Sequence, residues 1–245
     1  MTSASPPRGA VVRVQEISAE AHQDGASVRT LLDTGAGGPG LVRRQVEVPQ
    51  GSGYRATSGD AGDLCFVIDG AGHLEAGGQS AALTPDRGLL IPAGSEFGVH
   101  ADQGSGLRVD IVSLPATETP AGTSDTDGLQ TRDFADCEIE FTGDRQFRVL
   151  FGPGFGCSIA TQFVGEIPPG RAPEHSHPYD EVVLILGGDG TAHIGGGDYP
   201  LSPGTCLHLP PGLPHCLENT GPASLRVLGV FHPADSPAAK LPSGQ

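Results

Sequence analysis

Apolar residues in this chain occur in short runs that are separated by turns rich in glycine and proline. The clearest runs cover residues 64–68, 181–186 and 224–231 and are rich in β-branched and large aliphatic side chains. Short runs bounded by turn-forming residues are typical of β-strands, and no segment shows a long helical period. The pattern therefore predicts an all-β protein.

One of these runs is apolar on both faces of its strand. Residues 182–186 are apolar at every position. Because successive side chains of a strand point to opposite sides, such a run needs cover on both faces. We expect that cover from a second sheet or from a partner surface.

The chain also repeats itself, which predicts two copies of one structural unit. At an offset of 118 residues, glycines and prolines of the first half recur in the second. The matching pairs are Gly70 and Gly188, Gly72 and Gly190, Pro85 and Pro203, Pro92 and Pro210, and Gly94 and Gly212. Upstream, an offset of 119 pairs Arg29 with Arg148. A tandem duplication with a single-residue indel explains both offsets.

Two such units fit the length of the chain. Its 245 residues divide into halves that are each large enough to form a core. We predict an N-terminal unit at residues 11–116 and a C-terminal unit at 129–234. The segment 117–128 is polar and lacks apolar periodicity, which indicates a linker. Residues 1–10 and 235–245 are expected to be flexible tails.

The charge balance narrows the possible partners. The chain has 14 Lys and Arg against 29 Asp and Glu, and its formal net charge is −15. Binding to a phosphate backbone depends on clustered cations, so a nucleic-acid partner is not expected. No stretch approaches the length of a membrane span, and the N-terminus lacks the apolar core of a signal peptide. We expect a cytoplasmic protein without a membrane partner.

Two segments of the second half carry the residues best suited to metal binding. The first contains His175, His177 and Glu181, and the second contains His215. Residues two apart on a strand share one face, so the two histidines of the first segment are expected to point together, with Glu181 if the strand persists. The turn at residues 210–214 redirects the chain so that His215 arrives from a neighbouring strand. Three imidazoles and one carboxylate favour a divalent transition metal over Mg or Ca.

The two segments resemble the paired signature motifs of the cupin superfamily, G(x)5HxH(x)3-4E(x)6G and G(x)5PxG(x)2H(x)3N. The matching positions are His175, His177, Glu181, Gly188, Gly204, Pro210, Gly212, His215 and Asn219. The leading glycine of the first motif departs from the pattern, since Gly170 lies one position too close to His175. The resemblance implies two tandem cupin barrels, which are double-stranded β-helices of the jelly-roll type.

The same resemblance implies a metal site in the second barrel. In that family the three histidines and the glutamate bind a metal, and the corresponding residues here are His175, His177, Glu181 and His215. Fe, Mn, Ni, Zn, Co and Cu all suit such a ligand set.

The first copy lacks most of these donors. Depending on the offset, the positions of the first two histidines hold Ala56 and Ser58 or Thr57 and Gly59, the position of His215 holds Phe97, and that of Glu181 holds Asp63. One carboxylate without an imidazole is a poor transition-metal site. We therefore predict a degenerate N-terminal cupin and an intact C-terminal one.

The resemblance implies a metal-dependent bicupin enzyme that acts on a small molecule in the C-terminal barrel, with a dioxygenase as the first candidate. Two alternatives stay open: a non-redox isomerase, decarboxylase, lyase or aminohydrolase, and a non-catalytic ligand-binding or storage-type bicupin. No catalytic residue is assigned. Arg148, Arg171 and Tyr179 are candidate substrate contacts because they lie on or beside the expected strands, and a guanidinium can pair with a carboxylate in two places. A homo-oligomer is expected, since cupin-like sheets with two apolar faces tend to pair.

Overall fold

The computed structural model describes residues 9–35, 40–116 and 128–238, and it confirms the all-β fold. Within these residues the only helices are two short 3-10 turns, Val14–Glu16 and Phe134–Asp136. The first twelve strands are β1 (Ala10–Arg13), β2 (Glu20–Ala21), β3 (Ser27–Asp33), β4 (Val42–Val48), β5 (Gly53–Thr57), β6 (Asp63–Gly70), β7 (Gly72–Ala76), β8 (Gln79–Leu83), β9 (Arg87–Ile91), β10 (Glu96–Ala101), β11 (Leu107–Ser113) and β12 (Gln130–Asp133). The remaining strands are β13 (Glu140–Thr142), β14 (Arg145–Phe151), β15 (Thr161–Ile167), β16 (Gly170–Arg171), β17 (Asp180–Gly187), β18 (Gly190–Ile194), β19 (Gly197–Leu201), β20 (Thr205–Leu209), β21 (His215–Asn219) and β22 (Leu225–His232).

Each half of the chain forms a barrel from two antiparallel sheets. In the first barrel the strand orders are β12-β9-β6-β11-β4-β3-β2 and β5-β10-β7-β8. In the second barrel they are β1-β20-β17-β22-β15-β14-β13 and β16-β21-β18-β19. Apolar residues of the larger and the smaller sheet pack together inside each barrel. The expected pair of tandem jelly-roll barrels is therefore confirmed.

The two barrels exchange one edge strand, which the sequence did not indicate. β1 stands first in the chain but pairs with β20 of the second barrel, with Val11 opposite Leu207. In return, β12 pairs with β9 of the first barrel, with Thr131 opposite Leu89. Thus β1, which precedes the strands of the first barrel, belongs to the larger sheet of the second barrel. In the same way β12, which precedes the strands of the second barrel, belongs to the larger sheet of the first. The predicted boundaries, 11–116 and 129–234, stay predictions.

Several predicted segments fall outside the described residues. These are residues 117–127 of the predicted linker and residues 1–8 and 239–245 of the predicted tails. Two predicted tail segments do have a described position. Ala10 is the first residue of β1, and Pro237 borders the cavity of the second barrel.

The strand β17 is buried on both faces, as its apolar run predicts. Val183 and Ile185 pack inside the second barrel. Val182 and Leu184 point the other way, into a cluster that also contains Phe66 and other residues of the first barrel. The cover on the second face therefore comes from the partner barrel of the same chain, and the two larger sheets pack against each other.

A buried ion pair of the first barrel lies at this interface and bonds to the second barrel. The Nε of Arg43 donates to Asp110 at 2.9 Å, and its two terminal nitrogens donate to the carbonyl oxygens of Val182 and Leu228 at 3.0 and 3.2 Å. Both charged side chains are fully buried. Burial raises the pKa of Asp110, and the charge of Arg43 opposes that shift. Because Arg43 belongs to the first barrel and both carbonyls to the second, these bonds fix the relative position of the barrels.

Candidate metal centre

Three histidines of the second barrel bring one ring nitrogen each to a common region. His215 begins β21, and His175 lies opposite it in an isolated antiparallel bridge. Their main chains exchange two hydrogen bonds, at 3.0 and 2.9 Å. His177 follows two residues later and presents its ring on the same side, as expected for an extended segment. The three candidate donor atoms lie within 4.8 Å of one another, close enough for the histidines to hold a metal ion.

The Nδ1 atom of each ring has a partner on the far side from this region. Nδ1 of His175 lies 2.9 Å from the carbonyl oxygen of Pro173, and Nδ1 of His215 lies 2.9 Å from that of Leu213. Nδ1 of His177 lies 3.0 Å from the hydroxyl of Tyr179. A carbonyl oxygen only accepts, so the first two rings carry their proton on Nδ1 and leave a lone pair on Nε2. Metal-binding histidines are oriented in this way.

Glu181 completes the cluster from the inward face of β17. Its Oε2 lies 3.4 Å from Nε2 of His177 and 3.8 Å from Nε2 of His215. Donors that share an ion, at bond lengths of about 2.0–2.2 Å, lie roughly 3 to 3.6 Å apart. The measured spacings are close to that range. The structure therefore groups the three histidines and places Glu181 beside two of them, His177 at a spacing that fits a shared ion and His215 slightly beyond it.

Burial sets the protonation of the cluster. It raises the pKa of Glu181 to about 8, against the opposing effect of the Arg145 charge. Burial lowers the pKa of His215 to about 4, and the bond to Leu213 opposes this shift. Without an ion, therefore, the carboxyl group holds a proton at neutral pH, whereas His215 stays neutral. Neutral imidazoles are the form that binds metals.

The cluster lies in a cavity of about 80 Å³ in the second barrel. Its walls are mostly apolar and include Phe147, Phe163, Val183, Leu209, Leu217, Val227 and Phe231. Beyond the histidines and Glu181, its polar lining is Thr142, Arg145, Gln146 and Glu166. Position 229 requires glycine, because a Cβ there would overlap the ring of Phe163.

Tyr179 was predicted to contact the substrate, but the structure gives it a different place. Only 3% of its surface is exposed, and its ring stacks on that of His177 with centroids 4.7 Å apart. Its hydroxyl faces Nδ1 of the same histidine. Tyr179 therefore holds the ring of His177 from behind, and it is not among the described residues that border the cavity.

Arg148 does not reach the site either. Its guanidinium donates to the carbonyl oxygens of Phe134, Ala135 and Cys137 at 2.9–3.0 Å. The repeat supports a structural role, because its counterpart Arg29 donates to the carbonyl oxygen of Ile17 after the first 3-10 turn. The same kind of contact thus also occurs in the first copy, which lacks the histidines.

Arg171 also lies away from the cavity. It belongs to the short edge strand β16, where it is exposed and stands opposite Glu218. Its side chain interacts with Cys216. Cys216 and His215 are adjacent on β21, so they point to opposite faces, and Arg171 lies on the outer one.

The arginine that borders the cavity is Arg145, which the sequence analysis missed. It begins β14 on the same face as Phe147, whereas Arg148 points outward. A signal for it was present in the repeat. The offset of 119 aligns Arg145 with Ala26, and the matching bulges after Val149 and Thr30 confirm that register. Like the histidines, this arginine occurs only in the second copy.

The same register locates the counterpart of the site in the first barrel. Ala56 stands opposite Phe97 as His175 stands opposite His215. Asp63 stands opposite Ile91 as Glu181 stands opposite Leu209. The extra residue of the first copy therefore lies between positions 56 and 63. Asp63 is buried and accepts a bond from the amide of Gly59 at 2.9 Å.

Comparison with known proteins agrees with this architecture. Residues 163–231 match the family model of the cupin domain. The protein YlbA from E. coli has a similar structure, with a TM-score of 0.77, 14% identity and coverage of 93% of this chain and 92% of that one. A protein from Pseudomonas aeruginosa named as glyoxylate-induced has a TM-score of 0.78, 14% identity and coverage of 96% and 92%. No curated protein sequence matches the chain.

A third similar structure contains a metal. It is an oxalate decarboxylase from Bacillus subtilis studied for its Mn(II) centres, with a TM-score of 0.73, 13% identity and coverage of 94% of this chain and 78% of that one.

No helix among the described residues has the length and apolar character needed to span a membrane. Residues 163–231 of this chain therefore match a cupin domain, and the described chain has a fold similar to that of these solved structures.

Proposed function

We propose that the second barrel is a metal-dependent active site that acts on a small molecule. The single observation that carries this proposal is the convergence of three Nε2 atoms, with Nδ1 of each ring engaged behind them, in the cavity of the second barrel. His175, His177, His215 and Glu181 would hold the ion. Its identity is one of Fe, Mn, Ni, Zn, Co and Cu.

A bound ion would supply Lewis acidity and positions for substrate oxygen atoms. The chain's own residues provide the rest. Tyr179 and the two carbonyl groups hold the rings in place. Glu181 holds a proton on its carboxyl group whenever no ion is bound at neutral pH. The apolar walls around Phe163 and Phe231 exclude water and strengthen electrostatic interactions in the cavity.

The size of the cavity limits the substrate. About 80 Å³ is more than the roughly 10–15 Å³ needed for one water and far below the roughly 300–1,000 Å³ of pockets for drug-sized ligands. A molecule of a few heavy atoms fits. Oxalate decarboxylase, which has a similar fold, is named for a substrate of that size. These observations favour a reaction on a molecule of a few heavy atoms, such as a decarboxylation, isomerisation or hydrolysis.

A dioxygenase is the second candidate. Four protein ligands leave two positions of an octahedral ion open, which is enough for a substrate atom and O2 together. The two candidates differ in their need for oxygen. Loaded with each of the six metals in turn, the protein would be given small acids and their neutral analogues, with NMR detection of products and an oxygen electrode. Turnover that persists without O2 supports the first candidate, and turnover coupled to O2 uptake supports the second.

We further propose that the first barrel has no metal and serves a structural role. Where the second barrel has His175 and His215, the first pairs Ala56 with Phe97. The first barrel covers the outer face of β17, and its strand β9 pairs with β12. If the purified protein binds two equivalents of metal, and one survives His215→Ala, this part of the proposal fails.

A further inference from the structure

Arg145 borders the cavity that contains the histidine cluster. Its Nε is buried and makes no hydrogen bond in the described part of the chain. The guanidinium borders the same cavity as the histidines and Glu181. A buried donor that makes no hydrogen bond is costly, so an arginine in this state points to a ligand that completes it.

The nearby acidic residues do not fill that role. Glu166 also borders the cavity, but it accepts a hydrogen bond from Gln146. Asp144 and Glu181 attract the Arg145 charge electrostatically, but among the described residues neither forms a hydrogen bond or an ion pair with it. If Glu181 binds an ion, its charge is engaged there, and the guanidinium keeps its bonding capacity.

The charge of the loaded site favours an anion. A divalent ion, one glutamate and three neutral histidines carry a net charge of about +1, and Arg145 raises it to about +2. This concentration of positive charge lies in a chain whose formal net charge is −15. A carboxylate in the cavity would neutralise part of it and could accept two parallel bonds from the guanidinium.

The internal repeat links Arg145 to the metal site. Its counterpart in the first barrel, Ala26, is an apolar core residue. Arg148, three residues away, has an arginine counterpart with the same main-chain role in the first barrel. An arginine needed for folding alone would be expected in both copies. Arg145 occurs only where the histidines occur.

We propose that Arg145 binds the carboxylate of the substrate, so that the cavity selects small carboxylic acids over neutral molecules of the same shape. This inference rests on the function proposed above and names its substrate class. The acid would place its carboxylate on Arg145 and another oxygen atom near the four metal ligands.

The test compares glycolate with glycolamide, which differ in charge but hardly in size. Affinities are measured by calorimetry on the Mn(II)-loaded protein, and elemental analysis gives the metal content of each sample. The wild-type protein should bind glycolate more tightly by roughly tenfold or more, the range of a charged hydrogen bond. Arg145→Gln should abolish that preference, and Arg145→Lys should retain part of it as a point charge.

Arg171→Gln is the matched control, because Arg171 lies on the outer face and should leave the preference unchanged. Thermal unfolding of all variants separates a binding defect from a folding defect, and Arg145→Lys preserves the test if Arg145→Gln unfolds. Equal affinities in the wild type, no binding of either probe, or a preference that survives Arg145→Gln would overturn the inference while leaving the metal site intact. A wild-type protein that binds no metal would overturn both proposals.

Discussion

The hydroxyl of Tyr179 lies 3.0 Å from Nδ1 of His177, and the two rings stack with an interplanar angle of 12°. The histidine is therefore held at its outer nitrogen and along its face, with Nε2 directed at Glu181 and His215. Contacts of this kind behind a metal ligand fix its tautomer and orientation. Tyr179 is thus a positioning residue for the proposed centre.

Tyr179→Phe should weaken metal binding by about 10- to 100-fold while leaving the barrel folded, because it removes the hydroxyl and keeps the stacked ring. Competition with a chelator of known affinity measures the change. Tyr199→Phe is the control, since Tyr199 is 40% exposed and lies outside the site. An unchanged affinity in Tyr179→Phe would show that the hydroxyl does not support the ligand.

Metal uptake should release about one proton from Glu181 at pH 7. Its pKa of about 8 in the ion-free protein leaves the carboxyl group protonated, and a ligand must be ionised. Calorimetry in buffers of different ionisation enthalpy counts the proton. Release should vanish well above pH 8, and metal affinity should fall as the pH drops below 8. His215, with a pKa of about 4, should compete only in stronger acid.

Glu181→Gln provides the control for that proton count. It should bind metal more weakly and without the extra proton. In the ion-free wild type, the raised pKa of Glu181 means that the folded state binds its proton more tightly than the unfolded chain does. Its contribution to stability should therefore be present below about pH 4.5 and be lost as the pH rises to about 8. A wild-type protein that takes up metal at pH 7 without releasing a proton contradicts this assignment.

Asp110→Ala should destabilise the protein by roughly 3–5 kcal/mol, because it leaves the charge of Arg43 buried and unpaired between the barrels. Urea denaturation measures the free energy of unfolding. Asp69→Ala is the comparison, since Asp69 is exposed and pairs with Arg108 at 3.7 Å. An exposed pair of this kind contributes roughly 0–1 kcal/mol. Equal losses in the two variants would show that the interface pair has no special role.

Removing residues 1–13 should loosen the second barrel, although these residues lie at the opposite end of the sequence. The deletion removes β1, which pairs with β20 along four residues. Hydrogen exchange of the β20 amides should accelerate, and metal affinity should fall because Leu209 of that strand borders the cavity. Removing residues 1–8 alone is the control. A loosening confined to the first barrel would contradict the strand exchange.

The sequence predicted the barrels and the proximity of the three histidines, because both depend on local patterns. Short apolar runs and turn residues define the strands, and the spacing of His175 and His177 places them on one face. The two-sided burial of residues 182–186 followed from the same reasoning. The structure adds that the second face is covered by the other barrel of the same chain.

The local sequence pattern could not show whether Arg145 or Arg148 points into the barrel. The strand β14 is apolar on both faces, because one faces the barrel interior and the other the barrel interface, so its periodicity does not identify the inner side. The bulge at Leu150 shifts the alternation further. The exchange of β1 and β12 was equally hidden, since an edge strand carries little information about its partner.

The most direct test of the proposed metal centre is elemental analysis of the purified protein beside His215→Ala and His100→Ala. His215 belongs to the cluster, whereas His100 lies on the first barrel, stacked on His73. The expected result is about one transition-metal ion per chain in the wild type and in His100→Ala, and a near-complete loss in a folded His215→Ala variant. Equal metal content in all three proteins, or none in the wild type after exposure to all six metals, would contradict the proposed centre.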